Sequence, residues 1–219
     1  MKKAFSISGL FAEAWVLFKK NWKFSLLVVL MITIIQVFLG LGSYGVDPMT
    51  GARYGSVLIS VIGFVASVVI AIGSVTIFIG LARGEEKELE DLVMSVSIKK
   101  MVTYLFASII YGMIVILGLL LFVIPGIIAI LVFLPYVYVL TDKNLNATES
   151  LKKTREMTKG NRINIFLLLI VLAIFNLLGF LAFVVGLLFT STITMFVFAL
   201  MYIKLDAALE QSVIAPEVQ

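Results

Sequence analysis

The chain has 219 residues, 62% of them hydrophobic and 14% charged, with a formal net charge of +4 and neither cysteine nor histidine. A water-soluble domain runs nearer about 45–50% apolar and about 25% charged, so this composition excludes a soluble globular fold. The missing Cys and His exclude disulfides, thiolate nucleophiles, Cys/His zinc sites and imidazole acid–base chemistry. The basic residues flank apolar runs, which points to membrane orientation and anionic head groups and not to nucleic acid.

Residues 6–20 place Ile7, Leu10, Phe11, Ala14, Trp15 and Phe18 at helical spacing, which predicts an amphipathic helix at the membrane interface with Trp15 and Trp22 at head-group depth. Glu13, Lys19, Lys20 and Lys23 interrupt the apolar pattern near the start, so no cleaved signal is expected. The first uncharged run predicts a span over 24–42, because about 20 apolar residues cross a hydrocarbon core of about 30 Å. Asp47, Pro48 and Arg53 mark a short water-exposed loop. A second span, 55–82, is longer than needed and predicts tilt or a break near Gly63 or Gly73. Gly63, Ser67 and Ala71, spaced by four, form a small-residue stripe for helix packing.

Residues 86–100 read as a second amphipathic helix, acidic at its start and basic at Lys99 and Lys100, in keeping with the helix macrodipole. Its carboxylates fall on several faces with no second ligand segment, so no metal site is predicted. Met101 to Thr141 then carries no charged side chain. Ile124, Pro125 and Gly126 predict a tight break between spans 101–123 and 126–141. The second arm is short and holds Pro135, which predicts thinning, a kink or a re-entrant turn.

Residues 146–160 predict a third amphipathic helix, with Asn146 and Glu149 as a capping box and Gly160 as the C-terminal cap. Lys152, Lys153, Arg155, Lys159 and Arg162 make this the most basic segment. Spans 163–178 and 181–203 follow, turning near Asn176 and Gly179, and residues 204–219 read as a polar cytoplasmic tail. The fold expected is an all-α integral membrane protein with a single membrane domain over 1–219. It has six transmembrane helices as three hairpins, each preceded by a cytoplasmic amphipathic helix. Sixteen of the seventeen Lys and Arg fall on one side of this topology and only Arg53 on the other, which predicts both termini in the cytoplasm.

The stretches Phe122 to Tyr136 and Asn146 to Arg162 carry a resemblance, as does the segment Phe11 to Asn21. They are similar to a prokaryotic family of uncharacterised multi-pass membrane proteins related to the membrane domain of glycerophosphoryl diester phosphodiesterases. The pattern is an Ile-Pro-Gly hairpin, then an amphipathic segment in which Glu149, Ser150, Leu151 and Lys152 precede Lys159, Gly160 and Asn161. The resemblance implies the inner membrane of a prokaryote and a setting beside lipid metabolism, without the catalytic domain.

Three function classes can be weighed. A non-enzymatic module that binds membrane lipids or a partner protein, or forms a homo-oligomer, draws on the basic collar: Lys19, Lys20, Lys23, Lys99, Lys100, Lys152, Lys153, Arg155, Lys159 and Arg162. An uncoupled transporter or channel for apolar or neutral cargo draws on the repeated hairpins and on Thr190, Ser191, Thr192 and Thr194. An intramembrane enzyme lacks a nucleophile–base pair, since the reading puts no Asp or Glu in a buried position. The first class is expected, with no cofactor and no metal.

Overall fold

A computed structural model of the chain describes residues 4–42, 44–46, 49, 53–55 and 57–214. The elements in chain order are α1 (Ile7–Gly42), β1 (Tyr44–Val46), β2 (Arg53–Gly55), α2 (Val57–Arg83), α3 (Asp91–Met94), α4 (Ile98–Leu121), α5 (Val123–Phe133), α6 (Tyr136–Lys143), α7 (Ala147–Thr158), α8 (Arg162–Leu181) and α9 (Phe183–Ile214). Six helical stretches are long and apolar enough to cross a membrane: Ile7–Gly40, Val57–Arg83, Ile98–Leu121, Val123–Lys143, Arg162–Leu181 and Val185–Ser212. Phe38, Ile109, Leu120, Ile174 and Phe180 stand exposed on these helices. An apolar surface of that extent is stable only in lipid. The chain is a multi-pass membrane protein.

The main core joins α1, α2, α8 and α9. Leu10, Ala14, Phe18, Val28, Phe78, Phe196 and Met201 are buried there, and the Phe78 and Phe196 rings meet edge to face at 4.9 Å. A smaller cluster, Ala107, Tyr136, Leu140 and Leu151, knits α4, α6 and α7.

The predicted amphipathic helix 6–20 and the span 24–42 are one helical run, kinked at Asn21, whose φ of −117° and ψ of 19° leave the helical region. Asn21 Nδ2 donates to Leu17 O at 3.2 Å and Ser25 Oγ donates to Asn21 O at 2.9 Å, so side chains hold the backbone across the kink. Of the stripe expected to face the interface, Leu10, Ala14 and Phe18 pack on protein instead, while Trp15 stays exposed. Phe11 meets Phe175 at 5.5 Å and Phe18 meets Phe189 at 4.6 Å between ring centroids.

The predicted loop after α1 contains an antiparallel ladder, with Tyr44 opposite Gly55 and Val46 opposite Arg53. Asp47 and Pro48, named in that loop, lie outside the described residues, as does the tail beyond Ile214. The second span is unbroken. Gly73 lets the backbone of Leu92 lie directly on α2, where any Cβ would collide with it. Along the Gly63, Ser67 and Ala71 stripe, a Cβ on Gly63 would sit 3.7 Å from Leu39. Ser67 Oγ lies 2.8 Å from Gly63 O and 3.3 Å from Gln36 Oε1. This face of α2 therefore meets α1.

Four expectations are corrected. Over 86–100 only Asp91–Met94 is a separate helix, while Lys99 and Lys100 open α4. Closely spaced carboxylates repel along a helix, and Val93, Ser95, Val96 and Ser97 are weak helix formers. Ser97 then caps α4, accepting from Lys100 N at 3.2 Å.

The break between α4 and α5 falls at Phe122, which is extended at φ −164° and ψ 154°, and Ile124, Pro125 and Gly126 sit in the first turn of α5. Proline is tolerated there because a first-turn N–H has no helical partner to lose. Gly126 serves close packing: a Cβ on Gly118 would sit 3.0 Å from Gly126 Cα. The kink expected at Pro135 separates α5 from α6.

Asn176 and Gly179 are helical, and the turn falls at Ala182 and Phe183, the latter at φ 61°. Asn176 Nδ2 donates to Leu172 O and to Thr194 Oγ1, each at 2.9 Å, so its amide is satisfied without a turn. The predicted tail continues α9 to Ile214, because residues 203–214 contain neither Gly nor Pro and are rich in helix formers.

Candidate functional site: a charged network at one end of the bundle

The ends of α2 and α6 and the middle of α9 converge on Asp142. Arg83, the last residue of α2, holds both carboxylate oxygens: Nη1 to Oδ1 at 2.5 Å and Nη2 to Oδ2 at 2.8 Å. Tyr202 of α9 donates to Oδ2 at 2.6 Å. The Asp142 side chain is only 11% exposed, and a shielded carboxylate needs this density of donors to stay in place. Local sequence sets each partner. Gly84, at φ 83°, ends α2, with Gly84 N bonding Leu81 O at 3.1 Å and Glu85 N bonding Gly80 O at 2.9 Å. This is a Schellman cap, and it places Arg83 at the edge of the apolar run. Asn144, at φ 51°, ends α6 just past Asp142.

A second carboxylate, Asp206 on α9, is 6% exposed. Its Oδ2 lies 2.6 Å from Lys143 Nζ and its Oδ1 3.0 Å from Lys153 Nζ, the latter an ion pair without hydrogen-bond alignment. Lys143 also reaches Glu210 at 3.2 Å. Lys204 pairs with Glu13 at 2.8 Å, and Ala4 N bonds Asn161 Oδ1 at 3.0 Å, which ties α1 to the same end. Two shielded carboxylates are thus each offset by cations from neighbouring helices.

The expected basic collar separates into two groups. Lys153 is committed to Asp206. Lys100 Nζ donates to Ser95 O at 3.1 Å, and Arg162 opens α8 with its Nε buried and, among the described residues, without a hydrogen-bond partner. Lys19, Lys20, Lys23, Lys99, Lys152, Arg155 and Lys159 are exposed. Helix α7 turns Ser150, Leu151, Thr154, Met157 and Thr158 inward, and Thr158 Oγ1 bonds Val132 O at 3.1 Å. The apolar side of α7 is therefore docked on the bundle, leaving Lys152, Arg155 and Lys159 on its outer face. Its capping box is present, Glu149 N donating to Asn146 Oδ1 at 2.9 Å.

On α1, Lys19 lies over the Trp15 ring at 5.9 Å and Lys23 over the Trp22 ring at 5.7 Å, within cation–π range. Both indoles are exposed. Among the described residues no salt bridge engages Lys19, Lys20 or Lys23.

The expectation of no buried carboxylate is overturned by Asp206, while Asp142 is partly buried. Their signal in the sequence was slight. Asp142 merely ends an uncharged run, and Asp206 sits in what reads as a tail; only its four-residue spacing from Tyr202 and Glu210 marks a shared helix face. No group of three or more His, Cys, Asp or Glu that could hold a metal ion occurs among the described residues. No family model, curated protein or solved structure matches the chain.

Proposed function

We propose that the chain is a non-enzymatic membrane module that holds anionic lipid head groups on a basic and aromatic surface. The observation behind this reading is the face of α1 around the Asn21 kink, where Lys19, Lys20 and Lys23 stand exposed and, among the described residues, without a salt bridge, beside exposed Trp15 and Trp22. Indoles settle at head-group depth, and lysines there attract anionic lipid. The outer face of α7, with Lys152, Arg155 and Lys159, extends the same charge. By the positive-inside rule these residues face the cytoplasm, with the chain crossing six times in three hairpins, and the family resemblance implies a prokaryotic inner membrane. The resemblance to the membrane domain of glycerophosphoryl diester phosphodiesterases fits a lipid-side role.

The test is lipid retention. The protein is reconstituted in nanodiscs of equal phosphatidylglycerol and phosphatidylcholine, released in mild detergent and weighed by native mass spectrometry. Phosphatidylglycerol is expected to be retained selectively. Each lysine near the surface contributes about 1 kcal/mol, so Lys19→Gln, Lys20→Gln and Lys23→Gln together weaken retention about a hundredfold. Equal retention of both lipids, or no loss in the triple variant, rejects the proposal. Sidedness is checked separately. Because the chain has no cysteine, a Lys152→Cys variant labelled by impermeant maleimide only from the cytoplasmic face supports the orientation, and labelling from outside reverses it.

A further inference from the structure

On a helix in lipid, an exposed polar side chain meets hydrocarbon and not water, so its hydrogen bonds must come from protein. Gln36 of α1 is in this position. It is exposed, and it lies thirteen positions past Lys23, which at 1.5 Å per residue is about 20 Å into a hydrocarbon core of about 30 Å. Its Oε1 is 3.3 Å from Ser67 Oγ on α2. Ser67 has a single hydroxyl proton, however, and lies closer to Gly63 O, at 2.8 Å. Among the described residues, Gln36 Nε2 makes no hydrogen bond. Thr33 is also exposed, but its hydroxyl donates to Val29 O at 2.8 Å and is satisfied.

At about 100° per residue, Leu39 and Gly40 fall to either side of Gln36. Leu39 turns toward α2, where a Cβ on Gly63 would sit 3.7 Å from it. Thr33, Val37 and Gly40 share the other side, and all three are exposed. A Cβ on Gly40 would meet nothing within 4 Å. The outward surface beside the amide is therefore low, with Gly40 and Thr33 one turn to either side, and another helix can approach Gln36 closely there. Two constraints choose that helix. An amide carries both a donor and an acceptor, so two copies satisfy each other by exchanging Nε2–H to Oε1 bonds in both directions. A two-fold axis along the membrane normal also keeps each residue at its own depth in both copies, so Gln36 meets Gln36 at one level.

From this exposed amide at depth, beside an open face of small residues, we infer that the half of α1 beyond the Asn21 kink is an interface for a second copy of the chain, closed by a reciprocal Gln36–Gln36 hydrogen-bond pair. The interface lies about 20 Å along α1 from Lys23, away from the basic and aromatic surface. The dimer and the lipid-binding reading are independent, and either can fail alone.

The full chain has no cysteine, so a Gln211→Cys variant carries one dye on the exposed end of α9. It is reconstituted in liposomes of equal phosphatidylglycerol and phosphatidylcholine, and photobleaching steps are counted over a series of lipid dilutions. Two-step events that decline with dilution are expected. Gln36→Leu removes both reciprocal bonds and is expected to raise the dissociation constant about tenfold. Gly40→Leu obstructs close approach from a position that is open in the chain itself, and is expected to weaken the dimer similarly with thermal stability unchanged. Ser67→Ala removes the contact within the chain but keeps the amide, and is expected to leave the dimer intact. Oxidative cross-linking then locates the surface: Val37→Cys in the otherwise cysteine-free chain is expected to cross-link, and Ile109→Cys, on the exposed side of α4, is not. Single bleaching steps at every dilution overturn the inference. So does a dimer indifferent to both Gln36→Leu and Gly40→Leu, one weakened as much by Ser67→Ala, or one that cross-links through Ile109→Cys and not through Val37→Cys.

Discussion

Tyr202 donates to Asp142 across 2.6 Å, although 60 residues separate them in the chain. The phenol approaches the same carboxylate oxygen that Arg83 Nη2 holds at 2.8 Å. Asp142 is therefore the point where α2, α6 and α9 are fastened together, and its substitution tests how much that fastening contributes.

Asp142→Asn keeps the shape and removes the charge. Arg83 is partly exposed, so the loss is that of a charge-assisted hydrogen-bond pair and not of a fully buried ion pair, about 2 kcal/mol. Tyr202→Phe removes one hydrogen bond and leaves the tilted ring contact with Tyr138, whose centroids are 5.8 Å apart; about 1–2 kcal/mol is expected. Denaturant unfolding in detergent measures both. Additive losses in the double variant would show that the two contacts are independent, against the coupling expected of a shared carboxylate.

Asp206 is flanked by Lys143 and Lys153. Asp206→Asn leaves two lysines facing each other in a shielded place, and about 3 kcal/mol of stability is expected to go. Lys153→Met in the same chain removes one of the orphaned cations and is expected to restore part of it. If the double variant is less stable than Asp206→Asn alone, Lys153 has a structural role that does not depend on Asp206.

The two glycines of α4 give a paired test of helix packing. A Cβ at Gly118 would press on the Gly126 backbone, while a Cβ at Gly112 meets nothing within 4 Å. Gly118→Ala is expected to destabilise the α4–α5 contact by about 1–3 kcal/mol. Gly112→Ala is expected to be neutral or to stabilise by up to about 1 kcal/mol through helix propensity. Thermal unfolding of the two variants side by side decides it; similar midpoints would argue against close packing at Gly118.

Asn146→Ala removes the capping box of α7. About 1 kcal/mol is expected to be lost, with faster amide hydrogen exchange confined to residues 148–151 at the start of the helix. Exchange that rises across all of α7 would show that the cap holds the docking of the helix and not only its first turn.

Much of this fold could be read from local sequence. The uncharged runs mark the crossings because lipid cost acts residue by residue, and the box at Asn146 and Glu149 is a contact within one turn. The misreadings share a different cause. The break at Phe122 replaced the one expected at Pro125, since a proline in the first helical turn loses nothing that the turn possesses. The segment 86–100 has amphipathic spacing but folds back on α2 because Gly73 leaves room for the backbone of Leu92, a tertiary fit with no local signature. Asp142 and Asp206 escaped notice for the same reason. Neither has a partner nearby in sequence that reveals its burial, and Arg83, Tyr202 and Lys153 reach them only after the helices assemble.

Helix α9 carries Tyr202, Asp206 and Glu210 at successive four-residue steps, and each meets a partner on α6. An α-helix turns 100° per residue, so sliding or rotating α9 by one position would withdraw all three together. They work as the teeth of a key: single contacts of modest strength that fix one rotational setting of a rod roughly 48 Å long at 1.5 Å per residue. Its lipid-embedded half is held in the same setting by the Asn176 Nδ2 bond to Thr194 Oγ1 and by the close fit of Gly179 against Thr190. The orientation of Thr190 and Thr194 inside the bundle is therefore fixed twice, by their own contacts with α8 and, some two to three helical turns away, at the charged end.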